Sequence, residues 1–476
     1  MKKTLITAAI VAGAATAANA ADLPRKAPVY KAPVMQVYDW TGFYIGANFG
    51  GSVGRDLTRA SANGPGGTPI FNERSHLSPA GAIGGGQIGY NWQFRNFYNL
   101  VLGVEADIQA SGQRDNFLCG LNCVPGTLFT GSQKLDWFGT ARVRAGLATG
   151  PVLTYITGGY AYGHYETTAS GLAAGTAFTQ TTSGTKGGYT IGSGVEAQLS
   201  GNWTGKIEYL YVRLQGTSAG AVLPGGITTF GSTRVEDHIF RAGVNYNFGK
   251  NANYVAPLAN WSGFYVGGNV GSVIGRNRSS DTFAGAAPRF TLVPEGYIGG
   301  GQVGYNWQAG AWVLGAEADF QGSTAKDKKA CVFFCIPGAG IAPEQKLSYL
   351  GTVRGRVGYS VGSTLFYGTA GFAYGETKTR LTEVAGAATA TIDLKRSKGG
   401  YAVGAGIESP FNPLNLFGPN WTSKTEYLYV DLGRSTFNFA PAGFAAQTFS
   451  TKNEEHIFRT GINYHFNTVA PVVAKY

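Results

Sequence analysis

From Gln87 to Gln93 the chain alternates polar or small residues with apolar ones, so that Gln87, Gly89, Asn91 and Gln93 share one face and Ile88, Tyr90 and Trp92 the other. A period of two predicts a strand with two unlike sides. The same pattern recurs through the chain. In the first half it predicts eight strands, near 42–51, 83–93, 99–110, 134–147, 152–165, 186–199, 203–214 and 237–248. The connections fall into two classes. Those at 52–82, 111–133, 166–185 and 215–236 are long and rich in Gly, Ser, Thr, Asn and Pro, whereas "RNFYN", "ATGP" and "SGN" barely turn the chain. Strict alternation of long and short connections is the mark of a membrane barrel, with long loops outside the cell and tight turns in the periplasm.

The second half repeats the first. "WTGFYIGANFG" from Trp40 returns as "WSGFYVGGNVG" from Trp261, and "HIFRAGVNYNF" ending at Phe248 returns as "HIFRTGINYHF" ending at Phe466. Each copy is about 200 residues long, the size of a whole domain rather than of a solenoid repeat. The second copy departs once, at "SPFNPLNLFGP" (409–419), where a short turn is expected. The segments G-x-G-x-x-G at Gly84, Gly86 and Gly89, and again at Gly299, Gly301 and Gly304, have dinucleotide-loop spacing. No helix is predicted after either, so neither has a helix N-terminus to hold a phosphate. The glycines are read instead as places where strands curve and pack, with Tyr90 and Trp92 in an interfacial aromatic girdle.

Charged residues inside the strands decide which face is inward. Glu105 and Asp107 share a face opposite Val104, Ala106 and Ile108, and Arg142 and Arg144 flank Val143 in the same way. Glu196, Lys206, Glu208 and Arg241 complete a set of four acids and four bases. The second copy matches it with Glu317, Asp319, Glu408 and Glu426 against Arg354, Arg356, Lys424 and Arg459. An Arg or Lys on the lipid face at mid-membrane costs about 2–4 kcal/mol, so these groups are expected to point inward. Balanced charge in an eight-stranded barrel, whose interior only side chains can fill, predicts an ion-paired lumen. A charged eyelet selecting ions is the alternative.

Composition agrees with short strands and an exported chain. Gly accounts for 73 of 476 residues, aromatics for 13% and charged residues for only 14%. Lys2, Lys3, an apolar run from Leu5 to Ala17 and the sequence Ala18-Asn19-Ala20 form a signal peptide with cleavage expected near Ala20. The net charge is +11, or +9 without Lys2 and Lys3. In an exported chain this favours outer-membrane lipid and lipopolysaccharide over nucleic acid, or a plain solubility bias. Cys119 with Cys123 and Cys331 with Cys335 predict a local disulfide in each copy, because no His lies near enough to complete a zinc site. His238 follows Glu236 and Asp237, and His456 follows Glu454 and Glu455. These two segments are read as solvated strand ends, with a divalent-cation site shared with lipid phosphates as the alternative. No nucleophile and base stand at plausible positions, and Ser193 alternates toward lipid. No enzyme and no cofactor are expected.

The segments "ADLPRKAPVYKAPV", "WTGFYIG", "GGGQIGYNWQ" and "FRAGVNYNF" resemble the opacity-like, immunogenic outer-membrane proteins of alphaproteobacteria, which are eight-stranded barrels with four surface loops. The resemblance implies an integral outer-membrane protein. It also implies that the closing strands, with outward Tyr246 and Phe248 and their counterparts Tyr464 and Phe466, carry the signal read by the outer-membrane insertion machinery. Family members usually hold one copy and end on the terminal aromatic, whereas here Phe248 is internal and "NTVAPVVAKY" follows Phe466.

The expected organisation is signal peptide 1–20, a Pro-rich periplasmic arm 21–39 that acts as a spacer or touches the cell wall, barrel 40–248, linker 249–260, barrel 261–466 and tail 467–476. The fold class is all-β, a transmembrane antiparallel barrel. Two tandem eight-stranded barrels are preferred because each copy keeps its own closing strand and balanced interior. One sixteen-stranded barrel is the alternative. The corresponding functions are envelope support with display of surface loops, or a porin for small solutes. A surface adhesin or receptor acting through its loops is a third reading.

Overall fold

The computed structural model describes residues 38–466 apart from 125–126, 174–175, 224, 250–253, 255–258, 284–288, 330–332, 337–338, 413–415 and 441–443. In the first copy the barrel strands are β1 (Gly42–Gly54), β2 (Ala80–Phe94), β3 (Leu100–Val124), β4 (Thr127–Thr149), β5 (Val152–Ala173), β6 (Thr176–Ser200), β7 (Trp203–Leu214) and β8 (Glu236–Asn247). Each pairs antiparallel with the next, and β8 pairs with β1 from Tyr44↔Asn247 to Gly54↔Asp237. The ring is therefore closed. In the second copy β9 (Gly263–Gly275), β10 (Glu295–Ala309), β11 (Trp312–Ser323), β12 (Ala339–Val361), β13 (Thr364–Ala385), β14 (Ala388–Pro410), β15 (Trp421–Phe439) and β16 (Gln447–His465) close through β16–β9. Two separate rings replace the alternative of one sixteen-stranded barrel.

Tight turns fall where the short connections are predicted. They need positive φ, supplied by Tyr98 and Asn99 in the first turn and by Gly150, Gly201, Gly310 and Gly362 in others. Outward positions carry an exposed apolar band that includes Phe43, Ile45, Ile88, Val104 and Ile108.

The long connections differ from expectation. β3 to β6 run for 22 to 25 residues, far more than the roughly 9–11 needed to cross a bilayer. The stretches read as loops continue as paired strands above the membrane. Between β5 and β6 the extension is rich in Thr and Gly with no regular apolar face, and cross-strand contacts between β-branched residues hold it, as where Thr168 and Thr181 lie 3.1 Å apart between hydroxyls. Four further strands, in the order 217–223, 227–234, 56–63 and 69–77, form a separate antiparallel sheet outside the first barrel.

The two barrels touch through equivalent faces. Phe240 and Tyr209 of the first meet Tyr427 and Phe458 of the second, with Val53, Ile274 and Val293 buried beside them. At the outer rim Arg55 reaches Asp327 at 3.2 Å, and its counterpart Arg276 reaches Asp115 at 3.6 Å. The interface is thus isologous within one chain: each copy offers the same patch to the other.

Candidate functional site

The lumen is built by the parity of the strands. Several predicted charges are direct cross-strand neighbours: Glu105↔Arg142, Glu208↔Arg241 and Glu196↔Lys206, repeated as Glu317↔Arg354, Glu426↔Arg459 and Glu408↔Lys424. All sixteen predicted lumen residues are buried.

Arg142 is the hub of the first lumen. It bonds Glu105, and it lies 3.0 Å from both Asp107 and Glu208. Lys206 donates to both Glu105 oxygens at 3.1 Å, Arg241 donates to Glu208 at 2.7 Å and to Asp107 at 2.9 Å, and Arg144 donates to Glu196 at 2.9 Å. The second lumen repeats the plan. Arg354 reaches Glu317 at 2.7 Å, Asp319 at 2.9 Å and Glu426 at 3.2 Å. Lys424 donates to Glu317, Arg356 to Glu408, and Arg459 to Asp319 and Glu426. Removing charge from water is costly, and such a layer persists only when every ion has oppositely charged, hydrogen-bonded neighbours.

Two tyrosines in each copy complete the layer, although their rings read as apolar in the sequence. Tyr44 donates to Glu105 at 2.7 Å and Tyr155 to Glu208 at 2.9 Å, while the Arg144 guanidinium lies between their rings at 4.6 and 5.2 Å. Tyr265, Tyr367 and Arg356 reproduce the arrangement. The available signal was parity, since Tyr44 shares its face with Asn48, whose amide bonds Gln87. The glycine-rich segment is also explained here. It forms one uninterrupted strand, β2, and Gly89 faces inward where a Cβ would overlap the Tyr44 hydroxyl.

Apolar layers close the charged layer on both sides. On the turn side, Tyr38 and Trp40 pack with Val101, Ala148, Leu153 and Tyr155. The Trp40 indole donates to the Gly150 carbonyl at 3.2 Å. Trp261, Val313, Leu365 and Tyr367 do the same in the second barrel, with the Trp261 indole donating to Ser360 at 3.1 Å. On the outer side Ile83, Leu135, Phe138, Leu210 and Ile239 fill the first lumen, and Ile298, Leu347, Leu350, Leu428 and Ile457 fill the second.

The remaining candidates are placed as follows. Tyr246 stacks edge-on with Phe248 at 5.2 Å, and Tyr464 with Phe466 at 5.3 Å, on the outward face. The two acid-acid-His segments are not the solvated strand ends expected, since Asp237, His238, Glu454 and Glu455 are buried, and they do not converge on a shared site either. Asp237 faces into the barrel, whereas His238 faces the barrel contact and meets the Tyr209 hydroxyl at 2.8 Å; His456 meets Tyr427 in the same way. Cys331 and the side chains of Cys119, Cys123 and Cys335 lie outside the described residues, as do the signal peptide and most of the arm and linker.

The family described as "Outer membrane protein beta-barrel domain" matches residues 6–248 and 252–466. The 31 kDa outer-membrane immunogenic protein of Brucella melitensis is 35% identical over 248 residues, which is 52% of this chain and 100% of that protein. The 22 kDa outer membrane protein of Rhizobium leguminosarum is 32% identical over 216 residues, 44% of this chain and 81% of that protein. Among solved structures, the outer membrane protein OprG of Pseudomonas aeruginosa matches with a TM-score of 0.29 at 12% identity, covering 44% of this chain and 99% of that one.

Proposed function

Since the chain belongs to the outer membrane protein beta-barrel domain family, in two consecutive copies, and is located in the outer membrane, we propose that it acts as a paired, sealed anchor that supports the envelope and displays extended strands and loops at the cell surface. The observation that carries this reading is the three-layer filling of each lumen, in which apolar side chains stand on both sides of a neutralised charge layer. A path for solutes would need wet space through that filling.

In this role the lipid band sits in outer-membrane lipid and lipopolysaccharide, the closing strands are read by the insertion machinery, and the arm reaches toward the cell wall. The chain performs no catalysis. The immunogenic label on the Brucella relative supports surface display. Planar-bilayer recording on the refolded full chain tests the proposal. Silence with verified insertion is expected, and steady single-channel steps would replace it with a pore function.

A further inference from the structure

Outward of its apolar layer, each barrel holds another buried polar cluster, and the two copies build it differently. In the second barrel Asn277 is central. Its Oδ1 accepts the Glu454 N–H at 2.9 Å, and its Nδ2 donates to Gln345 Oε1 at 2.8 Å and to Glu455 Oε1 at 3.4 Å. The Gln345 amide is then free to donate to Asn453 and Thr379.

In the first barrel Asp56 occupies the equivalent place and accepts the Glu236 N–H at 2.7 Å. A carboxylate has no proton to donate. Gln133, the counterpart of Gln345, turns its amide toward Asp56 at 2.5 Å and leaves its own Oε1 without a partner. Asp237, the counterpart of Glu455, has both oxygens unpartnered. Gln113, which replaces Ala325, lies beside Asp237 but makes no hydrogen bond of normal geometry. These four side chains belong to residues no more than 3% exposed. Among the described residues no Lys, Arg or His pairs with either carboxylate. Burial and the neighbouring Asp237 push the Asp56 carboxyl well above the usual carboxylate range.

We propose that Asp56 and Asp237, with the amide oxygen of Gln113 and that of Gln133 once its amide turns over from the orientation seen here, bind a calcium ion. Two carboxylates balance a divalent charge, and an all-oxygen set suits a hard cation. Calcium is favoured over magnesium because side-chain amide oxygens and irregular coordination suit its larger, more flexible shell. Asp56 opens the strand 56–63 of the outer sheet and Asp237 lies in β8, so the ion ties that sheet to the barrel.

The test uses the refolded full chain in detergent, free of lipopolysaccharide, with calcium uptake measured by equilibrium dialysis. Wild type takes up one more ion per chain than Asp56→Asn. That variant is expected to keep its fold, because Asn277 already stands at the same place in the second barrel. Gln113→Ala, the residue found at 325, weakens uptake at this site about tenfold. Calcium slows amide exchange over 56–63 in wild type and leaves Asp56→Asn unchanged. Equal uptake by wild type and Asp56→Asn, or no uptake by either, overturns the proposal and leaves a shared proton as the compensation.

Discussion

Phe240 lies 5.0 Å from Tyr427 between ring centroids, and Tyr209 lies 5.6 Å from Phe458. The two contacts are one contact made twice, since Phe240 and Phe458, and likewise Tyr209 and Tyr427, occupy equivalent positions in the repeats. Lipid supplies no hydrophobic drive between membrane elements, so packing of this kind has to hold the barrels together. Replacing both Phe240 and Phe458 by Ala should weaken the association by about 1–3 kcal/mol, at roughly 0.5–1.5 kcal/mol for each aromatic pair. With a protease site placed in the linker, the cleaved wild-type halves should co-migrate on a native gel and those of the double variant should separate. Unchanged co-migration would mean that the rim ion pairs suffice.

The lumen network predicts a barrel-specific effect. Glu105→Gln leaves Arg142 and Lys206 facing a neutral amide, and breaking a buried pair from one side costs about 3–5 kcal/mol. Urea unfolding of the first barrel should shift to lower denaturant while the second holds. Glu317→Gln should do the reverse. A shared shift in both barrels would show that they unfold as one unit.

Two neighbouring glycines should behave oppositely. Gly86 faces outward with the nearest atom 3.7 Å from an added Cβ, whereas Gly89 faces the Tyr44 ring. Gly86→Ala should be nearly neutral, and Gly89→Ala should lose about 1–3 kcal/mol through overpacking. Heat-modifiable gel mobility would read the difference.

Above the membrane, Asp281 is buried close to Glu383, and its carboxyl is pushed up to about 7, first by burial and then by that neighbour. The unfolded value is about 3.9. Between those values the folded form holds a proton that the unfolded form has released, so stability from this group is full below about 4 and is lost as pH rises through 7. Amide protection over 277–283 and 447–453, after correction for the intrinsic pH dependence of exchange, should therefore fall between pH 5 and pH 8. Asp281→Asn should remove that dependence, and a dependence that survives in the variant would place its origin elsewhere.

Period-two alternation makes the membrane strands and the inward charges legible in the sequence alone. Cross-strand neighbours such as Glu105 and Arg142 lie at the level their positions along the strands suggest. Tyr44 was missed because its ring reads as apolar although its parity is that of Asn48. The extension of β5 and β6 was missed because its Thr-Gly sequence has no regular apolar face to mark it. The contact between barrels was hidden for a different reason. Phe240 and Tyr209 lie on the outward face, and alternation cannot tell an aromatic that meets lipid from one that meets another barrel.

The reciprocal contact also limits how this protein assembles. A patch that binds its own equivalent is used up when two copies meet, and here both copies lie in the same chain. No unsatisfied half of that contact is left to recruit a neighbour. A head-to-tail contact would have left one, and the chains would grow into arrays across the membrane. Through this surface the chain ends its own assembly at two barrels, whatever its density in the outer membrane.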